Sequence, residues 1–192
     1  MTTIYLIRHG AYVNPDWIFH GRLPGFPLSA KGKQQAVEMA RYLKKKPVTA
    51  VYTSRLERAR MTAEIIAKQF RVPVWTDERL LDIRSPLEGM PLGYLRRPKF
   101  SFYDEPYIVL GGETMRQIFD RVHHFLCHKA KDHPSEHIVV VTHGDMIMTV
   151  IHKYKGIKFP KFFPYDTSYV KEGKGYQIEF NSVKATRVIP IP

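Results

Sequence analysis

The sequence predicts an α/β domain, a three-layer α/β/α sandwich with a mostly parallel central sheet and an antiparallel edge hairpin near the C-terminus. Three observations carry this. Short, continuous apolar runs without polar alternation recur at strand length, as expected for strands covered on both faces. Amphipathic helical patterns separate those runs, the arrangement that gives parallel crossovers. Two of the runs end in a His-Gly pair, Arg8-His9-Gly10 and Thr142-His143-Gly144-Asp145, at the strand ends where ligands bind in such sheets.

Taken in order, Thr3 to Ile7 is the first strand and feeds directly into Arg8-His9-Gly10. Helical periodicity covers about Ser29 to Lys45. Val48 to Thr53 reads as a second buried strand, followed by a helix over Leu56 to Phe70 and a weaker strand over Val72 to Thr76. Ser85 to Gly112 is rich in Pro, Gly and aromatics with little helical period, and reads as a short cap over the site. Thr114 to Lys131 is helical and His137 to Val141 is strand, with Met146 to His152 helical beyond the second His-Gly. After Pro164, strand signals around a Gly173-Lys174-Gly175 turn suggest the edge hairpin. With 192 residues, 44% of them hydrophobic, the expectation is a single domain over 1–192.

Composition narrows the function classes. No apolar run approaches the roughly 20 residues that span a bilayer, and the N-terminal stretch lacks the features of a secretory signal, so a cytoplasmic protein without membrane contact is expected. A single cysteine, Cys127, cannot form an internal disulfide. The 30 Lys plus Arg against 18 Asp plus Glu give a net charge of +12, a field that attracts polyanions of any kind. The basic residues form short clusters (Lys44 to Lys46, Arg96 to Lys99, Lys153 to Lys161) with no nucleic-acid-binding motif beside them. A solvated surface is therefore the reading, with no specific nucleic-acid partner. The sequence carries no signal of oligomeric state.

The chemistry is concentrated at the two His-Gly pairs. A neutral imidazole at a strand mouth, followed by a Gly that lets ligand approach the backbone and flanked by a fixed cation such as Arg8, has the makings of a phosphorus nucleophile. Ser54-Arg55-Leu56-Glu57-Arg58 follows a buried strand and opens a helix, so its first-turn residues face the same end of the sheet. Arg58 is the second candidate phosphate clamp there, a task suited to its planar, permanently charged fork. Arg55 and Arg60 fall on other helix faces.

These motifs together resemble the histidine phosphatase superfamily, the phosphoglycerate mutase-like family, over roughly Ile4 to Asp145. Arg8-His9-Gly10 resembles its opening signature, and Ser54 to Ala63 its second-arginine helix. Gly112-Glu113-Thr114 with Arg121-Val122 resembles the segment before the last core strand, and Val141 to Gly144 the second-histidine motif. Gly21 to Ser29, with Gly32 and Gln35-Ala36, resembles the loop before the first helix, and Asn14 matches a phosphate-contacting asparagine. The resemblance implies that His9 forms a phosphoenzyme, that Arg8, Arg58 and His143 hold the transferring group, that Asn14 adds a donor, that Arg22 orients substrate, and that Gly144 lies at the phosphate site. It implies a pocket working without metal or other cofactor on a small phosphorylated substrate.

Two departures stand out. Asp82, in Leu80-Leu81-Asp82-Ile83, occupies the position where the family usually has a Glu as general acid; Glu88 is the competing carboxylate, and spacing favours Asp82. Ala11 replaces a Glu common after the signature. The resulting expectation is a phosphatase acting on small anionic phosphomonoesters through phospho-His9. The alternatives are phosphoglycerate mutase-type transfer, a non-catalytic phospho-ligand binder, and a nucleic-acid-binding module driven by charge. Arg96, Arg97 and Lys99 of the cap are the candidate specificity residues. His124 and His128, four apart on a helix, could be read as a zinc pair, but the apolar stripe Ile118, Val122, Phe125 and Leu126 leaves them on the solvent side.

Overall fold

The computed structural model describes residues 1–95, 101–160, 163 and 168–192. Arg96, Arg97 and Lys99 lie outside the described residues. Six strands form one sheet: β1 (Thr2–Arg8), β2 (Val48–Thr53), β3 (Val74–Thr76), β4 (His137–Thr142), β5 (Gly175–Asn181) and β6 (Lys184–Ile191). Their order is β3-β2-β4-β1-β5-β6. The pairs β2–β3, β2–β4 and β1–β4 are parallel, and β1–β5 and β5–β6 are antiparallel. The expected three-layer sandwich with its edge hairpin is present, although the hairpin reverses at Ser182 (φ 55°), while Gly173 to Gly175 only lead into β5. The sequence signal fell on glycines that serve a different approach: a Cβ on Gly175 would overlap the Leu6 carbonyl oxygen, so β5 needs a glycine to begin pairing with β1.

The unalternated composition of β1 follows from burial on both faces. Ile4 and Leu6 enter one core with Ile138 and Val140, under α5 (Met115–Asp132) and α6 (Gly144–Tyr154). Tyr5 and Ile7 enter the other with Val139 and Val141, under α1 (Ala30–Leu43) and α2 (Glu57–Phe70). Successive side chains on a strand point to opposite faces, so both sets must be apolar. The same residues fix the register Leu6↔Val140 and Arg8↔Thr142, which sets His9 beside His143 at the carboxyl end of the sheet.

The helices begin close to the expected places. Ser29 caps α1 by accepting from Gly32 N–H, and Thr114 and Gln117 form a reciprocal capping box at α5. Among its described residues the stretch 85–112 holds two short helices, α3 (Leu92–Leu95) and α4 (Glu105–Val109), that the sequence pattern did not reveal. Four or five residues are too few to show a period. Leu95 and Phe102 of this stretch nevertheless join the α5–α6 core together with Phe19.

Candidate active site

The C-terminal mouths of β1 and β4 bring His9 and His143 to a ring-centroid separation of 5.1 Å. Both are almost wholly buried. The turn after β1 is held from two helices: Gly10 N–H donates to Thr62 Oγ1 of α2 at 3.0 Å, and Ala11 N–H to Gln35 Oε1 of α1 at 2.8 Å. Side-chain acceptors are needed because these N–H groups lie past the end of the ladder. Gly10 is required by crowding, since a Cβ there would come within 2.5 Å of the Gly32 carbonyl oxygen.

His9 Nδ1 lies 2.8 Å from the Gly10 carbonyl, which can only accept, so Nδ1 carries the hydrogen and Nε2 keeps its lone pair. Arg58 Nε donates to that Nε2 at 3.3 Å. Burial, followed by the charge of Arg58, holds His9 well below the usual histidine range, with the Gly10 contact opposing. His143 is lowered in the same way and for the same first two reasons. Two imidazoles held toward the neutral form thus sit beside Arg8 and Arg58, with the unprotonated Nε2 of His9 accepting from Arg58.

Arg58 is 1% exposed. It is placed by the first turn of α2, and its NH2 donates to Asp82 Oδ2 (2.8 Å) and the Gly21 carbonyl (2.9 Å). Arg8 donates to the Val170 carbonyl at 2.9 Å and stacks over Tyr169. Arg8 Nε and His143 Nδ1 are buried without a hydrogen-bond partner among the described residues; His143 Nδ1 sits 3.3 Å from Asp82 Oδ2 but lacks hydrogen-bond alignment. Gly144 opens α6, whose first-turn N–H groups have no side-chain cap. A Cβ on Gly144 would overlap the Tyr169 hydroxyl.

A cavity of about 440 Å³ opens here. Arg8, His9, Asp82 and Gly144 line it, and Phe19, Leu92, Leu95 and Phe102 form its apolar side. Asp82 Oδ1 accepts from Ile83 N–H at 2.9 Å. Burial would raise the Asp82 carboxyl, but Arg58 first and His20 next outweigh it and hold the group below the usual range. Behind it, Arg22 Nε and Arg121 NH2 both donate to the Asp82 main-chain carbonyl, and both arginines pair with Glu113.

The arrangement brings together most of the residues singled out in the sequence and leaves Arg22, Asn14 and Glu88 off the cavity lining. Arg22 is spent on Glu113 and the Asp82 backbone, so it buttresses the site rather than facing the cavity. Asn14 uses its amide on both backbone groups of Ile18 and closes its own loop. Glu88 accepts from Arg22 N–H, packed under Gly21, away from the cavity. The cavity also holds groups that sequence reasoning did not select: Tyr12, His20, Asp145 and Tyr169. Asp145 accepts hydrogen bonds from the Tyr103 and Tyr169 hydroxyls, and burial raises its carboxyl. The signal for Tyr12, His20 and Asp145 was adjacency to the Arg-His-Gly, Gly21-Arg22 and His-Gly motifs, and Tyr169 had none. His124 and His128 stack on each other on the exposed side of α5, where His124 contacts Arg79.

Comparison with known proteins agrees with this geometry. The model of the histidine phosphatase superfamily (branch 1) matches residues 4–178. The uncharacterized phosphatase PhoE of Bacillus subtilis is 32% identical over 161 residues, 81% of this chain and 79% of its own length. The metal-independent phosphoserine phosphatase of Arabidopsis thaliana is 35% identical over 164 residues, 78% of this chain and 67% of that protein. An uncharacterized protein of Mycobacterium tuberculosis is 37% identical over 120 residues, 56% of this chain and only 59% of that relative's length. Among solved structures, YhfR of Bacillus stearothermophilus superposes with a TM-score of 0.82 at 27% identity, covering 97% of this chain and 95% of that one. The family match, spanning most of the chain and both His-Gly motifs, makes this protein a member of the histidine phosphatase superfamily.

Proposed function

We propose that this chain is a phosphomonoesterase that hydrolyses small phosphorylated metabolites in two in-line steps through phospho-His9. The observation that carries the reading is the tautomer of His9: Nδ1 tied to the Gly10 carbonyl, and Nε2 unprotonated beside Arg58. In the first step Nε2 bonds to phosphorus as the ester P–O bond breaks, and the leaving oxygen takes a proton. In the second, water attacks phospho-His9, gives up a proton, and releases phosphate.

Arg8, Arg58 and His143, with the N–H groups at Gly144 and the start of α6, supply the fixed positive charge that the phosphoryl oxygens need in the transition state. Arg22 and Asn14 support the loop that carries Gly21, and Asp82 anchors Arg58 on the leaving-group side. The apolar side of the cavity accommodates a carbon-rich leaving group, and Arg8 and Lys171 on its lining offer charge to a phosphate ester beside the carboxylates of Asp82, Asp145 and Glu172. Relatives named phosphatase and phosphoserine phosphatase support hydrolysis, and those named probable phosphoglycerate mutase fit the transfer alternative.

Turnover of 4-nitrophenyl phosphate and phosphoserine in excess chelator tests the reading. Release of inorganic phosphate from either is expected. Conversion of 3-phosphoglycerate to its isomer without phosphate release would replace it with the mutase reading.

A further inference from the structure

The leaving oxygen needs a proton, and the structure leaves the expected carboxylates poorly placed to give one. Asp82 has both oxygens committed, Oδ1 to Ile83 N–H and Oδ2 to Arg58. Glu88 is turned under Gly21. Asp145 accepts from two tyrosine hydroxyls at 2.6 and 2.5 Å, which uses a lone pair on each oxygen.

Tyr12 and His20 remain. The Tyr12 ring packs edge-on to His9, with centroids 5.4 Å apart, and its hydroxyl lies 2.6 Å from His20 Nε2. The other His20 nitrogen, Nδ1, faces the Gly21 carbonyl at 3.3 Å and Asp82 Oδ2 at 3.9 Å. Both neighbours of Nδ1 are acceptors, so Nδ1 carries the hydrogen and Nε2 exchanges protons with Tyr12 alone. Tyr12 and His20 both line the cavity.

We propose that Tyr12 and His20, with Asp82 as fixed counter-charge, form the proton relay of this site; the proposal rests on the phosphoenzyme reading above. As His9 Nε2 bonds to phosphorus and the P–O bond breaks, Tyr12 O–H protonates the leaving oxygen and the Tyr12 oxygen takes the Nε2 proton of His20. His20 ends neutral. In the second step water passes a proton to the Tyr12 oxygen, Tyr12 returns one to His20 Nε2, and the resulting hydroxide bonds to phosphorus as the P–N bond breaks. The cycle closes with neutral His9, protonated His20 and inorganic phosphate.

The groups facing His20 set when it is charged. Burial, then Arg58, push it down to about 4, with Asp82 opposing and Arg8 adding to the fall. Phe19 and Phe26 pack beside its ring and contribute no charge. A phosphate dianion seated on Arg8 and Arg58 offsets the two guanidinium charges and leaves Asp82 to favour the imidazolium, so His20 takes up a proton from solvent as the substrate binds.

The test separates leaving groups by their need for a proton. First-turnover phosphoenzyme formation is followed by rapid quench in wild type, Tyr12→Phe and His20→Gln, with 2,4-dinitrophenyl phosphate and with phosphoserine. Wild type is expected to be phosphorylated by both. The variants should keep the dinitrophenyl rate within about threefold, because that phenolate leaves unprotonated, and lose about 100-fold or more with phosphoserine, the usual range for general acid catalysis. Equal losses with both substrates, or no loss with phosphoserine in Tyr12→Phe, which removes one oxygen atom, would overturn the relay while leaving the phosphoenzyme intact. Failure of wild type to form a phosphoenzyme with either substrate would instead overturn the underlying reading.

Discussion

Arg58 shows how one side chain joins stability to chemistry. It is buried, donates to His9, Asp82 and Gly21, and lowers His9 and His143 by its charge. Arg58→Ala should cost about 3–5 kcal/mol, because it strands the Asp82 carboxylate in the interior, and should lower kcat on an aryl phosphate by about 100- to 1000-fold. Chemical denaturation and steady-state kinetics read the two losses. Adding Asp82→Asn to Arg58→Ala should recover part of the stability and none of the activity. At this scale His9, Arg8, Arg58 and His143 were legible in the sequence, because each sits at a fixed offset from a strand end or helix start. Arg22 and Asn14, expected at the ligand, hydrogen-bond Glu113 and Ile18, contacts set by tertiary packing that spacing does not encode.

At the scale of elements, the site is where β1, β4 and the first turn of α2 converge, and its fine position is set by contacts between them. Thr62 is the clearest example: its hydroxyl accepts from Gly10 N–H while donating to the Arg58 carbonyl, so one residue of α2 sets the height of the turn that carries His9. Thr62→Val keeps the shape and leaves a buried N–H unsatisfied. It should cost about 1–3 kcal/mol and lower kcat with little change in KM, while a thermal melt records the stability loss. The buried strands and the long helices were readable from periodicity because their faces are uniformly covered. The short helices α3 and α4 were not, and the hairpin turn was displaced by glycines whose role is close approach to β1.

For the whole molecule, the buried histidines make stability depend on pH in one direction. His9, His20 and His143 all have folded values below the unfolded one, so the unfolded chain binds more protons as the pH drops through about 6.5, and stability falls with it. The depressed carboxyls of Asp77 and Asp82 act in the same sense at lower pH, and Asp145, raised by burial, opposes them. The thermal midpoint should therefore drop between pH 7 and pH 5. Inorganic phosphate at 100 times its Kd should add about 2.7 kcal/mol, and less of that should survive in Arg8→Ala. All of this rests on His9 as the group that carries the phosphoryl. The direct measurement is trapping of radiolabelled enzyme during turnover by an alkaline detergent quench, in wild type and His9→Ala. The account predicts a stoichiometric label in wild type that is stable in alkali and lost in acid, and none in His9→Ala. A label of the same size in His9→Ala, or turnover that persists there, would contradict it.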